Sequence, residues 1–216
     1  MVQTTKFKER GVTLVELIVV IVMIGLFASI LIANFPRILK QFALSRATYK
    51  LAQDFRRMED LGLSGVLITD QPAEGQPSNE IRADAYGIYL NINPISDTKY
   101  ILYADRDGGF DFDTNSPQFC WQNINQSADC ILEVIDLTDR NNNGNQDLYI
   151  KDIENVSVEE GFQKVSSISF APPNPNVGIT GLDLGKKEVG IVLGLRSEPL
   201  LTRTVRVSTS GLIKVE

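Results

Sequence analysis

Residues 11–35 read GVTLVELIVVIVMIGLFASILIANF, and the organisation of the whole chain follows from them. Glu16 is the only charged residue between Val12 and Phe35, and none at all stands between Leu17 and Ala33. About 20 apolar residues in a helix span the roughly 30 Å hydrocarbon core of a bilayer. The segment therefore reads as a membrane-crossing helix. It is too long for a secretory signal, whose apolar region runs about 7 to 15 residues.

In front of it stands MVQTTKFKERG, residues 1–11, short, polar and basic. Positive residues tend to stay on the cytoplasmic side, so the N-terminus is expected in the cytoplasm and the body outside it. Glu16 is what a plain anchor leaves unexplained. A carboxylate in an apolar span is costly and normally has a partner. No Lys or Arg lies between Val12 and Pro36 to serve. A free amine at Val12 would, because an α-amino group is charged below a pH of roughly 8, and the attraction strengthens in a low-dielectric setting.

Gly11-Val12-Thr13-Leu14-Val15-Glu16-Leu17 resembles the prepilin cleavage and methylation motif of type IV pilins and type II secretion pseudopilins. In that family a glycine ends the leader and a glutamate stands fifth in the mature chain. Gly11 and Glu16 hold those positions here, and Val12 replaces the usual Phe. The likeness is close over about the first 50 residues, and beyond them it is one of layout. It implies cutting between Gly11 and Val12 by a membrane-embedded aspartyl prepilin peptidase, followed by N-methylation of Val12. It also implies that Glu16 neutralises the amine of a neighbouring subunit during assembly. The implied partners are other pilin or pseudopilin subunits, the prepilin peptidase, an inner-membrane assembly platform and the membrane itself. The implied location is the inner membrane, single-pass, and then a periplasmic or cell-surface filament.

The helical pattern continues beyond Phe35. Pro36 removes a helix hydrogen bond, so a kink and then continuation are expected. Phe35, Ile38, Leu39 and Phe42 keep helical spacing, and Leu44, Thr48, Leu51, Phe55 and Met58 prolong the stripe. Gly62 and Gly65 are the candidate stops. A helix over 12–62 would be about 75 Å long. The chain thus divides into a leader (1–11), an assembly helix (12–35), its amphipathic continuation (36–62) and an exported β-rich body (63–216).

In the body, residues 63–85 read as a loop. Strand-like runs follow at Tyr86–Ile92, Lys99–Tyr103, Ile131–Ile135, Val165–Phe170, Val189–Leu195, Thr204–Ser208 and Leu212–Val215. Ser210-Gly211 should turn the last hairpin, and Pro172 to Asn176 form a rigid loop. A long helix ahead of antiparallel strands gives an α+β, pilin-like fold.

Composition narrows the function. The chain has 216 residues, no histidine and a net charge of −6. Lys6, Lys8 and Arg10 against Glu9 give the first eleven residues +2 and leave the rest at −8. Missing histidine removes the commonest general base and metal ligand. An acidic body suits nucleic acid poorly. Arg203, Arg206 and Lys214 are the one small basic group near the end, and Arg206 and Lys214 read as the solvated face of a strand. Ser96-Asp97-Thr98-Lys99 matches a serine–lysine pattern but lies between strands, and Gly181 to Lys187 is a P-loop one residue short. Asn125 and Asn155 begin glycosylation sequons that carry little weight in a bacterium. No enzyme is expected, and no cofactor is required.

Cys120 and Cys130 would be free thiols in the cytosol and a small disulfide loop after export; the N-terminus favours the disulfide. Two acidic loops suit calcium. Asp139, Asn141, Asn143, Asn145 and Asp147 place oxygens at alternate positions with Gly144 sixth, but Ile150 stands where an EF-hand needs its bidentate acid. Asp105, Asp107, Asp111 and Asp113 form the second loop. Turn chemistry alone explains both sets as well.

Two functions remain: a structural filament subunit, a minor pilin or minor pseudopilin by its size, and a membrane-anchored exported binding or enzymatic domain. Within the first, a minor pilin that binds DNA for uptake is the variant the −8 body disfavours. Cleavage after Gly11 separates the two classes.

Overall fold

Helix α1 runs Leu14–Ser64 without a break, through Pro36. The computed structural model describes residues 12–69, 80–92, 97–114, 118–120, 129–138, 147–157, 164–172 and 176–216. The chain falls into two compact units divided after Lys40. Of the two candidate stops, Gly65 ends the helix: its φ is 58°, the left-handed conformation, and its N–H donates to the Leu61 carbonyl at 3.1 Å.

Gly62 has another use. A Cβ there would strike the carbonyl oxygen of Phe170, so only glycine lets the helix backbone approach the sheet this closely. Over the last turns of α1 the apolar stripe is buried: Leu44, Thr48, Leu51, Phe55 and Met58 are all inaccessible, with Ala47 beside them. Upstream, Phe35, Ile38, Leu39 and Phe42 keep the same spacing yet are exposed.

Among the described residues the strands form three sheets. β1 (Leu67–Thr69) and β2 (Glu80–Arg82) form a short antiparallel pair, which corrects the reading of 63–85 as loop. Three-residue strands are too short to show alternation. The six-stranded sheet has the order β5-β6-β4-β3-β8-β9. Its members are β3 (Ala85–Ile92), β4 (Lys99–Asp105), β5 (Gln118–Phe119), β6 (Cys130–Asp136), β8 (Lys164–Ala171) and β9 (Asn176–Ile179). All its pairs are antiparallel except β5 with β6, where Gln118 faces Cys130 and Phe119 faces Ile131. The four-stranded sheet has the order β12-β11-β10-β7, from β7 (Leu148–Glu154), β10 (Glu188–Leu195), β11 (Glu198–Ser208) and β12 (Ile213–Val215). Gly211, at φ 84°, makes the β11–β12 turn expected at Ser210-Gly211.

One contiguous core holds the buried helix stripe, Tyr86, Ile88, Leu90, Tyr100, Leu102, Ile168 and Phe170 of the six-stranded sheet, and Ile150, Ile153, Val189, Ile191, Leu193, Val205 and Val207 of the four-stranded one. A polar lock sits inside it. The Tyr100 hydroxyl donates to Asp54 Oδ2 at 2.6 Å, and Lys50 Nζ lies 3.2 Å from the same oxygen. Burial first, and then the Asp54 charge, push the Tyr100 phenol well above its ordinary range. The sheets are tied by Arg196, which donates to both Asp97 carboxylate oxygens at 2.7 Å and stacks 4.8 Å above the Tyr149 ring.

Candidate functional site

The first residues of α1 form a reciprocal cap. The Thr13 N–H and hydroxyl donate to Glu16 Oε2 at 2.8 and 3.0 Å, and the Glu16 N–H donates to Thr13 Oγ1 at 3.3 Å. This is a capping box, with Thr13 as N-cap and Glu16 three residues on. Glu16 therefore has a local role in the single subunit, and the sequence reading missed it although Thr-x-x-Glu was in view. The acid also suits the positive end of the helix dipole.

From Val12 to Phe35 the described side chains are exposed, and most are large and apolar. The helix is long and apolar enough to cross a membrane. Two polar side chains of the apolar stretch bond back into the helix. Ser29 Oγ donates to the Gly25 carbonyl at 2.8 Å and Asn34 Nδ2 to that of Ile30 at 2.9 Å. Such back-bonding satisfies the Ser29 hydroxyl hydrogen and one Asn34 amide hydrogen inside the helix. Glu16 is thus the one charge between Val12 and Phe35 on this uncovered apolar surface. Gly11, the other half of the expected cleavage site, lies outside the described residues.

Residues 6–32 match the family model of the prokaryotic N-terminal methylation motif. This is the type IV pilin and pseudopilin signature. The match covers the segment in which Gly11, Val12 and Glu16 stand, and the pilin-type segment joins an α+β body as that signature leads one to expect. No curated protein and no solved structure matches the chain.

In the body, Cys120 and Cys130 form a disulfide with Cα atoms 4.9 Å apart. The first calcium candidate cannot be described: Asp139, Asn141, Asn143 and Asn145 lie outside the described residues, and only Asp147 within them. The second is partly assembled, with a different membership. Carboxylate oxygens of Asp105, Asp107 and Asp129 lie within 4.8 Å of one another, and Asp111 and Asp113 stand outside that trio. Asp129 was missed, because it is 24 residues from Asp105 and nothing in the sequence marks their meeting.

Most of those oxygens already accept backbone N–H groups. Asp105 takes Asp107 and Gly108 on Oδ1 (3.1 and 2.9 Å) and Phe110 on Oδ2 (2.8 Å). Asp107 Oδ1 takes Gly109 at 2.8 Å. Asp129 takes Arg106 on Oδ1 at 3.1 Å and Asp113 on Oδ2 at 2.8 Å. Burial raises the Asp105 carboxyl, and burial lifts Asp129 to about 6 against the pull of its two N–H donors. Turn chemistry accounts for these acids, and the trio could in addition hold a hard cation through its remaining lone pairs.

The basic group near the end is not a free patch. Arg206 bonds Glu154 (2.8 Å), Glu188 (3.5 Å) and Glu216 (2.9 Å). Arg206 and Lys214 face each other across β11 and β12, as a strand face predicts. Three carboxylates around one guanidinium neutralise its charge and make the spot a poor one for a phosphate.

Proposed function

We propose that this chain is a structural filament subunit, a minor pilin or minor pseudopilin, that prepilin peptidase cuts after Gly11 and N-methylates at Val12. It enters the inner membrane with its N-terminus in the cytoplasm and is drawn by an assembly platform into a periplasmic or cell-surface filament. The observation that carries this reading is the single acid on the uncovered apolar helix within residues 6–32. In the free subunit Glu16 is occupied by Thr13. In the filament the Val12 amine of a neighbour takes the same carboxylate, since an acid and an amine buried in an apolar core are each costly until they meet. This reading assigns the body no catalytic role, and among the described residues calcium would be held by Asp105, Asp107 and Asp129.

The test is the mature N-terminus, measured by mass spectrometry of protein made beside a prepilin peptidase. The expected results are N-methylated Val12 in the wild type, uncut precursor for Gly11→Ala, and cut but unassembled protein for Glu16→Ala. Wild-type protein that keeps Met1, or is cut far beyond Gly11, would overturn the reading in favour of an anchored exported domain.

A further inference from the structure

The acidic turn and the disulfide are linked through Asp129. This residue precedes Cys130 and is 1% exposed. Its two oxygens hold the N–H groups of Arg106 and Asp113, so one carboxylate secures both ends of the turn that leaves β4. Between those ends Phe112 is seated against two rings, 5.0 Å from Tyr89 and 5.2 Å from Tyr103, and its N–H donates to Ser167 Oγ at 3.1 Å. Phe112 also walls a groove of about 310 Å³ on this face of the sheet, with Tyr89, Ile101, Thr114 and Val134.

Asp129 stands just before the end of the β6 ladder. Cys130 pairs with Ala104 at the last rung of the β4–β6 ladder, past a register shift at Leu102/Tyr103. Its other neighbour, β5, is two residues long and parallel, and so short a pair contributes little alone. The covalent link from Cys130 to Cys120 joins these contacts at this end of β6.

We propose that oxidation of Cys120 and Cys130 is the step that sets the 105–113 turn and with it the groove wall. Each thiol gives up one proton and one electron as the S–S bond forms. The two protons and two electrons reduce the disulfide of a thiol–disulfide oxidant to two thiols. Before that step Asp129 is unanchored, the turn is undocked and Phe112 leaves the two tyrosines. Afterwards the bond is out of reach, because Cys120 and Cys130 are both buried, so the device acts once, on export. It stands independently of the filament reading.

The test compares three full-length proteins in dodecylmaltoside micelles after oxidation with glutathione disulfide: wild type, Cys120→Ser/Cys130→Ser, and Asp129→Asn with the disulfide intact. Amide hydrogen exchange is followed at Arg106, Phe112 and Asp113, with Val189 to Leu193 of β10 as the internal reference. Exchange at the turn should rise in both variants by about tenfold or more beyond any rise in β10. A turn as protected in the double serine variant as in wild type would overturn the proposal. So would a turn that stays protected in Asp129→Asn, or exchange that rises equally in β10, which would mean a merely global loss of stability.

Discussion

At the scale of single residues, two acids have roles that their neighbours dictate. Glu16 completes a capping box, so Thr13→Val should cost the helix start about 1 kcal/mol while leaving the Glu16 charge in place. If Glu16 is needed only for the neighbour's amine, filament yield will not change in Thr13→Val; if the box presents the carboxylate, yield falls, and pelleting of sheared filaments distinguishes the two. Asp129 is the second case. Its ordinary value is 3.8 and burial raises it to about 6 in the fold. Between those values the folded chain binds more protons than the unfolded one, so acidification stabilises the fold across that window. The contribution is full below about pH 4 and is lost as pH rises through about 6. A carboxyl carbon shift for Asp129 with its NMR midpoint near 6 would bear this out, and a midpoint near 4 would sink it. With no histidine in the chain, few other groups titrate there to obscure it.

At the scale of elements, helix and sheet meet where glycine permits. Gly62→Ala places a Cβ against the Phe170 carbonyl, and backbone cannot yield as a side-chain tip does. The expected loss is about 1 to 3 kcal/mol, seen as a lower urea midpoint, whereas alanine at Gly25, where nothing lies within 4 Å, should be neutral or mildly stabilising. Arg206→Ala removes the centre of three carboxylates on β7, β10 and the end of the chain; partly exposed pairs are weak singly, so about 1 kcal/mol is expected, lessened by salt. These elements also show what the sequence could convey. The helix, its buried stripe and six of the seven longest strands were legible because each repeats an apolar period over enough residues, and the three-residue β12 because Ser210-Gly211 marks its turn. Leu148–Glu154 escaped, although Leu148, Ile150 and Ile153 are buried, because its acids read as the tail of an ion-binding loop. The strand pair at 67–69 and 80–82, and Gln118–Phe119, are shorter than any period. The division into two larger sheets was not legible, since pairing is a long-range choice that local alternation leaves open. Of the site, Val12 and Glu16 could be read from one local pattern, whereas the meeting of Asp129 with Asp105 depends on how β4 and β6 pair.

At the scale of the whole molecule, the disulfide should matter more than its small loop suggests. Closing a loop of about ten residues is worth about 2 to 3 kcal/mol, or roughly 5 to 10 °C in melting temperature for a domain of this size, and scanning calorimetry of the serine double variant would read it. Calcium belongs to this scale too. If Asp105, Asp107 and Asp129 bind it, millimolar calcium raises the melting temperature and Asp129→Asn abolishes the rise; an unchanged melt in the wild type rules that ligand out. The uncovered apolar helix from Val12 to Phe35 has one more consequence. A chain confined by such a segment to a bilayer encounters its fellows in two dimensions. Under the filament reading, assembly then answers to the number of copies per unit area of membrane. Diluting the cells changes nothing, and enlarging the membrane at constant copy number slows growth.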